Sequence, residues 1–187
     1  MSVKFITGSR HKFAEVVAIV GDGVLEQVDI DLPEIQEVDP KAVIEAKLRE
    51  AMRHGQEGGL IVEDTSLFLD CLSASPDQPG LPGPLVKWFV KTVGQEGLWQ
   101  LADRFGVYGA EARTTIGLAC GPKDTRFFEG ITRGTIVAPR GESDFGWDRV
   151  FRPEGRTKTF AEMDREEKNG ISHRGKAVRL LRDYLVR

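Results

Sequence analysis

The chain has 187 residues, 40% of them hydrophobic and 29% charged, and its 26 basic residues against 29 acidic ones leave a net charge of −3. This predicts a single globular domain over residues 1–187 that buries roughly 70% of its unfolded surface, and no apolar run nears the ~20 residues of a membrane span. Two cysteines, Cys71 and Cys120, are too few for a disulfide scaffold and lack metal-ligand spacing, which suits the cytoplasm, and the acidic balance gives no general attraction to polymeric nucleic acid. Met1-Ser2-Val3-Lys4 runs straight into a strand-like segment, so no signal peptide is expected.

Val3 to Thr7 reads as a short buried strand, followed by the turn Gly8-Ser9-Arg10. Phe13, Val16, Val17 and Val20 then recur at helical spacing up to Gly21-Asp22-Gly23. Val24 to Ile30 reads as a second strand closed by Leu32-Pro33. Asp39-Pro40 has the form of an N-cap with proline in the first turn, opening a helix towards His54. Leu60 to Val62 reads as a third buried strand that delivers Glu63-Asp64 to its C-terminal end. Ser73 to Pro84, rich in Pro, Gly, Ser and Asp, is a loop. Pro84 starts a helix through Val90, and Leu98, Leu101, Ala102 and Phe105 mark another. Ala112 to Ala119, the turn Gly121-Pro122-Lys123-Asp124, and Phe127 to Val137 form a long hairpin, and Ser143 to Pro153 is loop plus strand. Ser172 caps a last helix whose apolar face is Ala177, Leu180, Leu181, Tyr184 and Leu185. Alternating helices and strands followed by a hairpin imply an α/β or α+β domain with a mixed sheet.

Four segments carry possible chemistry. Thr7-Gly8-Ser9-Arg10-His11-Lys12 lies between a strand and a helix, where free N–H groups and the helix dipole favour an anion. It lacks Walker spacing, and its plainer reading is a turn with exposed basic residues. Glu34 and the pair Glu63-Asp64 offer oxygen ligands of the kind magnesium takes beside substrate phosphates, although 29 acids make chance pairs common. Phe145-Gly146-Trp147-Asp148 could wall a base, or form a core strand with a glycine bulge. Lys168-Asn169-Gly170-Ile171-Ser172-His173-Arg174 reads as a helix end and a Ser-capped helix start. Cations there oppose the dipole, and a bound anion or a carbonyl-rich base would supply a reason for them. His11, His54 and His173 are the only histidines and form no nucleophilic triad with serine or cysteine.

Taken together, Thr7 to Lys12, Asp31-Leu32-Pro33-Glu34, Val62-Glu63-Asp64-Thr65, Gly80-Leu81-Pro82-Gly83-Pro84, Phe145 to Asp148, Ala161-Glu162-Met163, Glu167-Lys168-Asn169 and Ser172-His173-Arg174 resemble the inosine triphosphate pyrophosphatase family. The resemblance implies an elongated mixed α/β sheet with flanking helices, two lobes around a central nucleotide cleft, and a homodimer. It implies Mg²⁺-dependent hydrolysis of ITP, dITP and XTP to the monophosphate and pyrophosphate. By the same likeness Glu34 and Asp64 bind the metal, and Asp64 also takes the proton of the attacking water. Lys12, Lys47 and Lys87 steady the triphosphate, Thr7, Gly8, Ser9, Arg10 and His11 wrap it, and Thr65 contacts substrate. Phe145, Gly146, Trp147, Asp148, Lys168, His173 and Arg174 enclose the base.

The sequence departs from the family pattern at Ser9 for a usual asparagine, Trp147 for a frequent tyrosine and Arg149 for a common proline, and Ser73 to Gln78 is longer than the usual connection. A pyrophosphatase for other modified nucleotides, such as pyrimidine analogues, differs only in the base pocket. A non-catalytic nucleotide- or RNA-binding module would not need the acids.

Overall fold

A computed structural model describes residues 3–55, 58–75, 77–121, 124–143 and 146–186. Pro122 and Lys123 of the hairpin turn, Pro76 of the long loop and Phe145 of the aromatic motif therefore lie outside the described residues. The chain runs β1 (Val3–Ile6), α1 (Arg10–Val20), β2 (Leu25–Val28), α2 (Pro40–Arg53), β3 (Gly59–Leu69), β4 (Pro82–Gly83), α3 (Val86–Phe105), β5 (Gly109–Gly121), β6 (Asp124–Ile136), β7 (Phe151–Pro153), α4 (Arg165–Ile171) and α5 (His173–Leu185).

Among the described residues the strands form one mixed sheet in the order β2-β1-β3-β5-β6-β7, with β4 on β3. β1 lies parallel to both β2 and β3, whereas β3, β5, β6 and β7 pair antiparallel. The crossover direction therefore reverses at β1, and the crevice beyond its C-terminal end is where open α/β sheets bind ligands.

The expected strand Leu60 to Val62 is corrected: β3 runs from Gly59 to Leu69. Its parallel pairing with β1 ends at Phe5–Ile61, and beyond it β3 continues against β5. Glu63 and Asp64 thus stand just past the end of β1 but inside a strand, pointing to opposite faces. The polar run Glu63-Asp64-Thr65-Ser66 hides this strand, because the partners of those side chains come from distant segments.

The caps at Asp39 and Ser172 follow the sequence, and Ser9, read as part of a turn, adds another. Ser9 Oγ accepts from the Lys12 amide at 3.2 Å, Asp39 Oδ1 from the Lys41 amide at 2.9 Å with Pro40 in the first turn, and Ser172 Oγ from the Gly175 amide at 3.0 Å. The two helices expected before the hairpin are two segments of α3, broken at Gly94, whose φ of 70° suits a residue without a side chain. Leu180, expected on the buried face of α5, is exposed, and Val178 is buried with Ala177 and Leu181.

Three apolar clusters hold the layers. Phe5, Ile61, Ile116 and Leu118 meet Val16 of α1 and Ala177, Val178 and Leu181 of α5 on one face. Ile6, Leu60 and Val62 meet Ile44 and Leu48 of α2 on the other. Beyond them, Leu67, Leu69, Ala110 and Ala112 pack with Leu98 of α3 and with Trp147, Phe151 and Phe160.

Two glycines let helices touch the sheet. A Cβ on Gly117 would collide with Ile44 and Leu48 of α2, and one on Gly130 with the His173 carbonyl and the Ala177 amide at the start of α5. Backbone cannot retreat as a flexible side chain can, so Gly130→Ala is expected to cost about 1–3 kcal/mol. A drop in the urea midpoint with an unchanged m-value would check it.

Candidate active site

A cleft of about 300 Å³ opens beyond β1, lined by Thr7, Gly8, Ser9 and Lys12 of the first turn, Asp31 and Glu34 of the following loop, Lys47, Glu63 and Lys87. The turn organises itself. The Ser9 amide donates to Thr7 Oγ1 at 3.1 Å while Ser9 Oγ caps the helix, and a Cβ on Gly8 would lie 2.8 Å from Asp29 Oδ1. Arg10 and His11 are exposed beside it and do not line the cleft.

Glu34 and Asp64 converge on one cation. Lys47 Nζ lies 3.0 Å from Glu34 Oε1 and 3.1 Å from Asp64 Oδ1, and Lys87 Nζ lies 3.4 Å from Glu34 Oε2. Ser66 Oγ donates to Asp64 Oδ2 at 3.3 Å. Burial raises the Glu34 carboxyl, but Lys47 and Lys87 outweigh it and hold it below its ordinary range. Burial likewise works against the Lys47 charge, yet Asp64 and Glu34 raise its pKa above the usual value. Asp64 is 7% exposed and does not itself line the cleft, which it meets through Lys47. Among the described residues no three His, Cys, Asp or Glu side chains gather to hold a metal. Two carboxylates closing on one positive charge still fit a hard cation that keeps water and phosphate oxygens as its other ligands.

Of the described residues assigned to the base, Asp148, Lys168, His173 and Arg174 are buried and join a second cluster with Glu15, Glu63 and Thr65. Arg174 donates to Glu15 through Nη1, to Glu63 Oε1 at 3.3 Å through Nε and 3.2 Å through Nη2, and to Thr65 Oγ1 at 3.1 Å. Thr65 Oγ1 donates in turn to Glu63 Oε1 at 2.5 Å, and Lys12 Nζ lies 3.6 Å from the same oxygen. Lys168 Nζ lies 2.6 Å from Asp148 Oδ2 and 3.6 Å from Glu15 Oε1. Against strong desolvation, Arg174 and Lys12 hold the Glu63 carboxyl well below the usual carboxylate range. Burial raises Asp148, and Lys168 only partly offsets it. Trp147, 5% exposed, packs into the core beside Gly146, with its ring 5.3 Å from His173 and 5.2 Å from Phe151. His173 is buried between Trp147 and Phe160.

Of the two residues expected to oppose the helix dipole, only Arg174 does so, because burial holds His173 neutral. An anion from outside is not required to explain Arg174, since Glu15 and Glu63 supply the compensating charge. Glu15 is the residue sequence reasoning missed. It sits on α1 and is buried beside Val16, 159 positions from Arg174. Its one local signal is the i,i+4 spacing from His11, which approaches it at 3.2 Å.

Ser73, Ala74, Ser75, Asp77 and Gln78 do not line the cleft. With Phe68, Glu111, Arg113 and Arg133 they line a larger cavity of about 630 Å³ that shares no lining residue with the first. Its charges pair among themselves, Arg113 with Glu111 and Arg133 with Asp70 at 2.7 Å. The smaller cleft carries the convergent acids and lysines, so size does not choose the site here.

The Ham1 family model matches residues 3–184. The chain is 42% identical over 186 residues to the inosine triphosphate pyrophosphatase of Schizosaccharomyces pombe, covering 98% of this chain and 95% of that one. It is 43% identical over 190 residues to the enzyme of that name in Emericella nidulans, covering 99% and 97%. The solved structure of a HAM1 protein from Coxiella burnetii superposes with a TM-score of 0.79 at 22% identity over 100% and 99% of the two chains, which establishes the fold.

Burial, with Arg174 and Lys168 nearby, depresses the His173 pKa well below 6.5. The folded protein holds this imidazole neutral, whereas the unfolded chain takes up a proton as pH falls through about 6.5. Stability from this group is thus fully present above that pH and lost below it, by up to about 1.4 kcal/mol per pH unit. Urea unfolding at pH 7.5 and 5.5 should show the decline, and His173→Asn should flatten it.

Proposed function

We propose that this chain, which belongs to the Ham1 family, hydrolyses non-standard purine nucleoside triphosphates (ITP, dITP and XTP) to the monophosphate and pyrophosphate. The observation that carries the reading is the meeting of Glu34 and Asp64 on one cationic locus in a cleft walled by the Thr7–Lys12 turn. Water attacks the α-phosphorus, its oxygen forms the new P–O bond, and the bond to the bridging oxygen breaks to release pyrophosphate.

In this reading Glu34 and Asp64 hold Mg²⁺, and the ion supplies charge neutralisation at the phosphate oxygens together with a polarised water. Lys12, Lys47 and Lys87 neutralise the negative charge that grows on those oxygens. The Thr7–His11 segment gives backbone N–H groups at the start of α1. Asp64 accepts the proton of the attacking water.

In this reading Phe145, Gly146, Trp147, Asp148, Lys168, His173 and Arg174 enclose the base, and Thr65 contacts the substrate. Hypoxanthine and xanthine carry an acceptor oxygen at C6, where adenine carries a donor amino group. Donors fixed in a buried polar site would accept the former and leave the latter facing like groups, a discrimination of up to about 10⁴. The same reading includes a homodimer and a cytoplasmic location. Cys71 and Cys120 are both free thiols, and among the described residues no helix is long and apolar enough to cross a membrane.

Pyrophosphate release should be measured from ITP, XTP, dITP and ATP with Mg²⁺, and with a chelator in its place. Turnover of the first three, weak turnover of ATP and loss with chelator are expected. Equal turnover of ATP, or orthophosphate as first product, overturns the reading. Asp64→Asn should lower kcat by about 10²–10⁴ with the circular dichroism spectrum unchanged.

A further inference from the structure

Resting on that reading, we propose that Lys47 is the resident counter-cation of the Glu34–Asp64 pair: its ammonium holds the locus of the divalent ion in the free protein and passes to the polyphosphate when the ion arrives. The geometry points to an exchange rather than a fixed phosphate contact. Lys47 Nζ is within 3.1 Å of one oxygen from each acid, the place a shared cation would take. Lys47 lines the cavity and Asp64 meets it through this ammonium. An ion bound to both acids would take the place the ammonium holds.

Two carboxylates that approach one point repel each other, and the Lys47 ammonium between them offsets that repulsion. A divalent ion replaces it with a larger charge, and the two cations then repel at short range. The lysine has somewhere to go. Its backbone is pinned, because its neighbours Ile44 and Leu48 are buried against Gly117 of β5, so α2 does not shift. Its stem is flexible, and the bound polyphosphate would offer it new oxygens. Lys87 is placed differently, pairing with Glu34 at 3.4 Å, lying 5.6 Å from the Trp88 ring centre and leaving its side chain 67% exposed.

Ion and polyphosphate must then bind with positive coupling, each removing the obstacle to the other, by a factor of about 5–150 as coupled sites generally show. A lysine that only binds phosphate would leave the affinity for the ion alone unchanged, so the two roles separate in one variant.

The test is Mn²⁺ binding by calorimetry to the wild-type protein and to Lys47→Met, alone and as the complex with the imido analogue of inorganic triphosphate. Lys47→Met should bind Mn²⁺ alone at least about tenfold tighter than wild type, and the Mn²⁺–imidotriphosphate complex more weakly. Unchanged or weaker affinity for Mn²⁺ alone overturns the proposal, as does the absence of ion binding in both proteins. Should Lys47→Met not fold, the wild-type protein labelled with ¹³C-lysine gives a second measurement. Its Lys47 Cε signal should shift when Mg²⁺ alone saturates the site and shift again with imidotriphosphate. A signal that stays in place under saturating Mg²⁺ overturns the exchange. Failure of the functional reading is seen elsewhere, as wild-type protein that does not release pyrophosphate from ITP.

Discussion

Side chains alternate along a strand, and Glu63 and Asp64 are neighbours on β3. Their carboxylates must leave the sheet on opposite faces, so no single cation can serve both. Glu63 meets Arg174 and Lys12 on the face of α1 and α5, and Asp64 meets Lys47 on the face of α2. The rest of the site follows from this division. It can arise only where β3 has outrun β1, because the parallel pairing ends at Ile61 and opens the crevice in which both groups of cations gather. One strand thus supplies an acid to a cationic locus in the cleft and another to a rigid guanidinium behind it.

The two halves differ in stiffness for a physical reason. Each ion taken from water costs several kcal/mol, so a buried cluster persists only with its partners nearly complete. Arg174 meets that condition with Glu15, Glu63 and Thr65, and in doing so ties α1, β3 and α5 together. Two buried side-chain atoms, Glu63 Oε2 and His173 Nδ1, have no hydrogen-bond partner among the described residues. Both belong to the cluster assigned to the base. Around Lys47, by contrast, the groups are held by two ion pairs on long stems, and Glu34 is about one-third exposed.

What was legible in the sequence was local. The caps at Asp39 and Ser172, Pro40 and the interruption of α3 each depend on a few adjacent residues, and each appears where the pattern places it. The ordered motifs brought Glu34, Asp64 and Lys47 into one expectation, and these do meet. The length of β3 was not legible, because alternation of apolar and polar residues marks a half-exposed strand, whereas Glu63, Asp64 and Ser66 are all buried. Their partners on α1, α2 and α5 are far away in sequence. Glu15 was hidden for the same reason, as an acid on a helix whose ligand lies at the other end of the chain. Trp147 as a core residue was one of two readings of its motif, and only the packing of Phe151, Phe160 and His173 around its ring decides between them.

The start of α5 shows why the cations there are stable and what that stability does. A positive side chain against a helix N-terminus loses about 0.3–1 kcal/mol at an exposed site and up to ~2 kcal/mol when partly buried. A hydrogen bond to a charged group returns about 1.5–3 kcal/mol, and Arg174 makes such bonds to two carboxylates. The dipole is outweighed, and His173 avoids the same conflict by staying neutral. An array held this firmly does not reorganise when charge develops beside it, which is the property of a preorganised polar site. Triphosphate oxygens demand the reverse, since charge moves along them as the bond breaks and the cations that follow it must be mobile. The chain accordingly places a planar, fully engaged arginine in the buried cluster with Glu15 and Glu63, and lysines on flexible stems at Glu34 and Asp64.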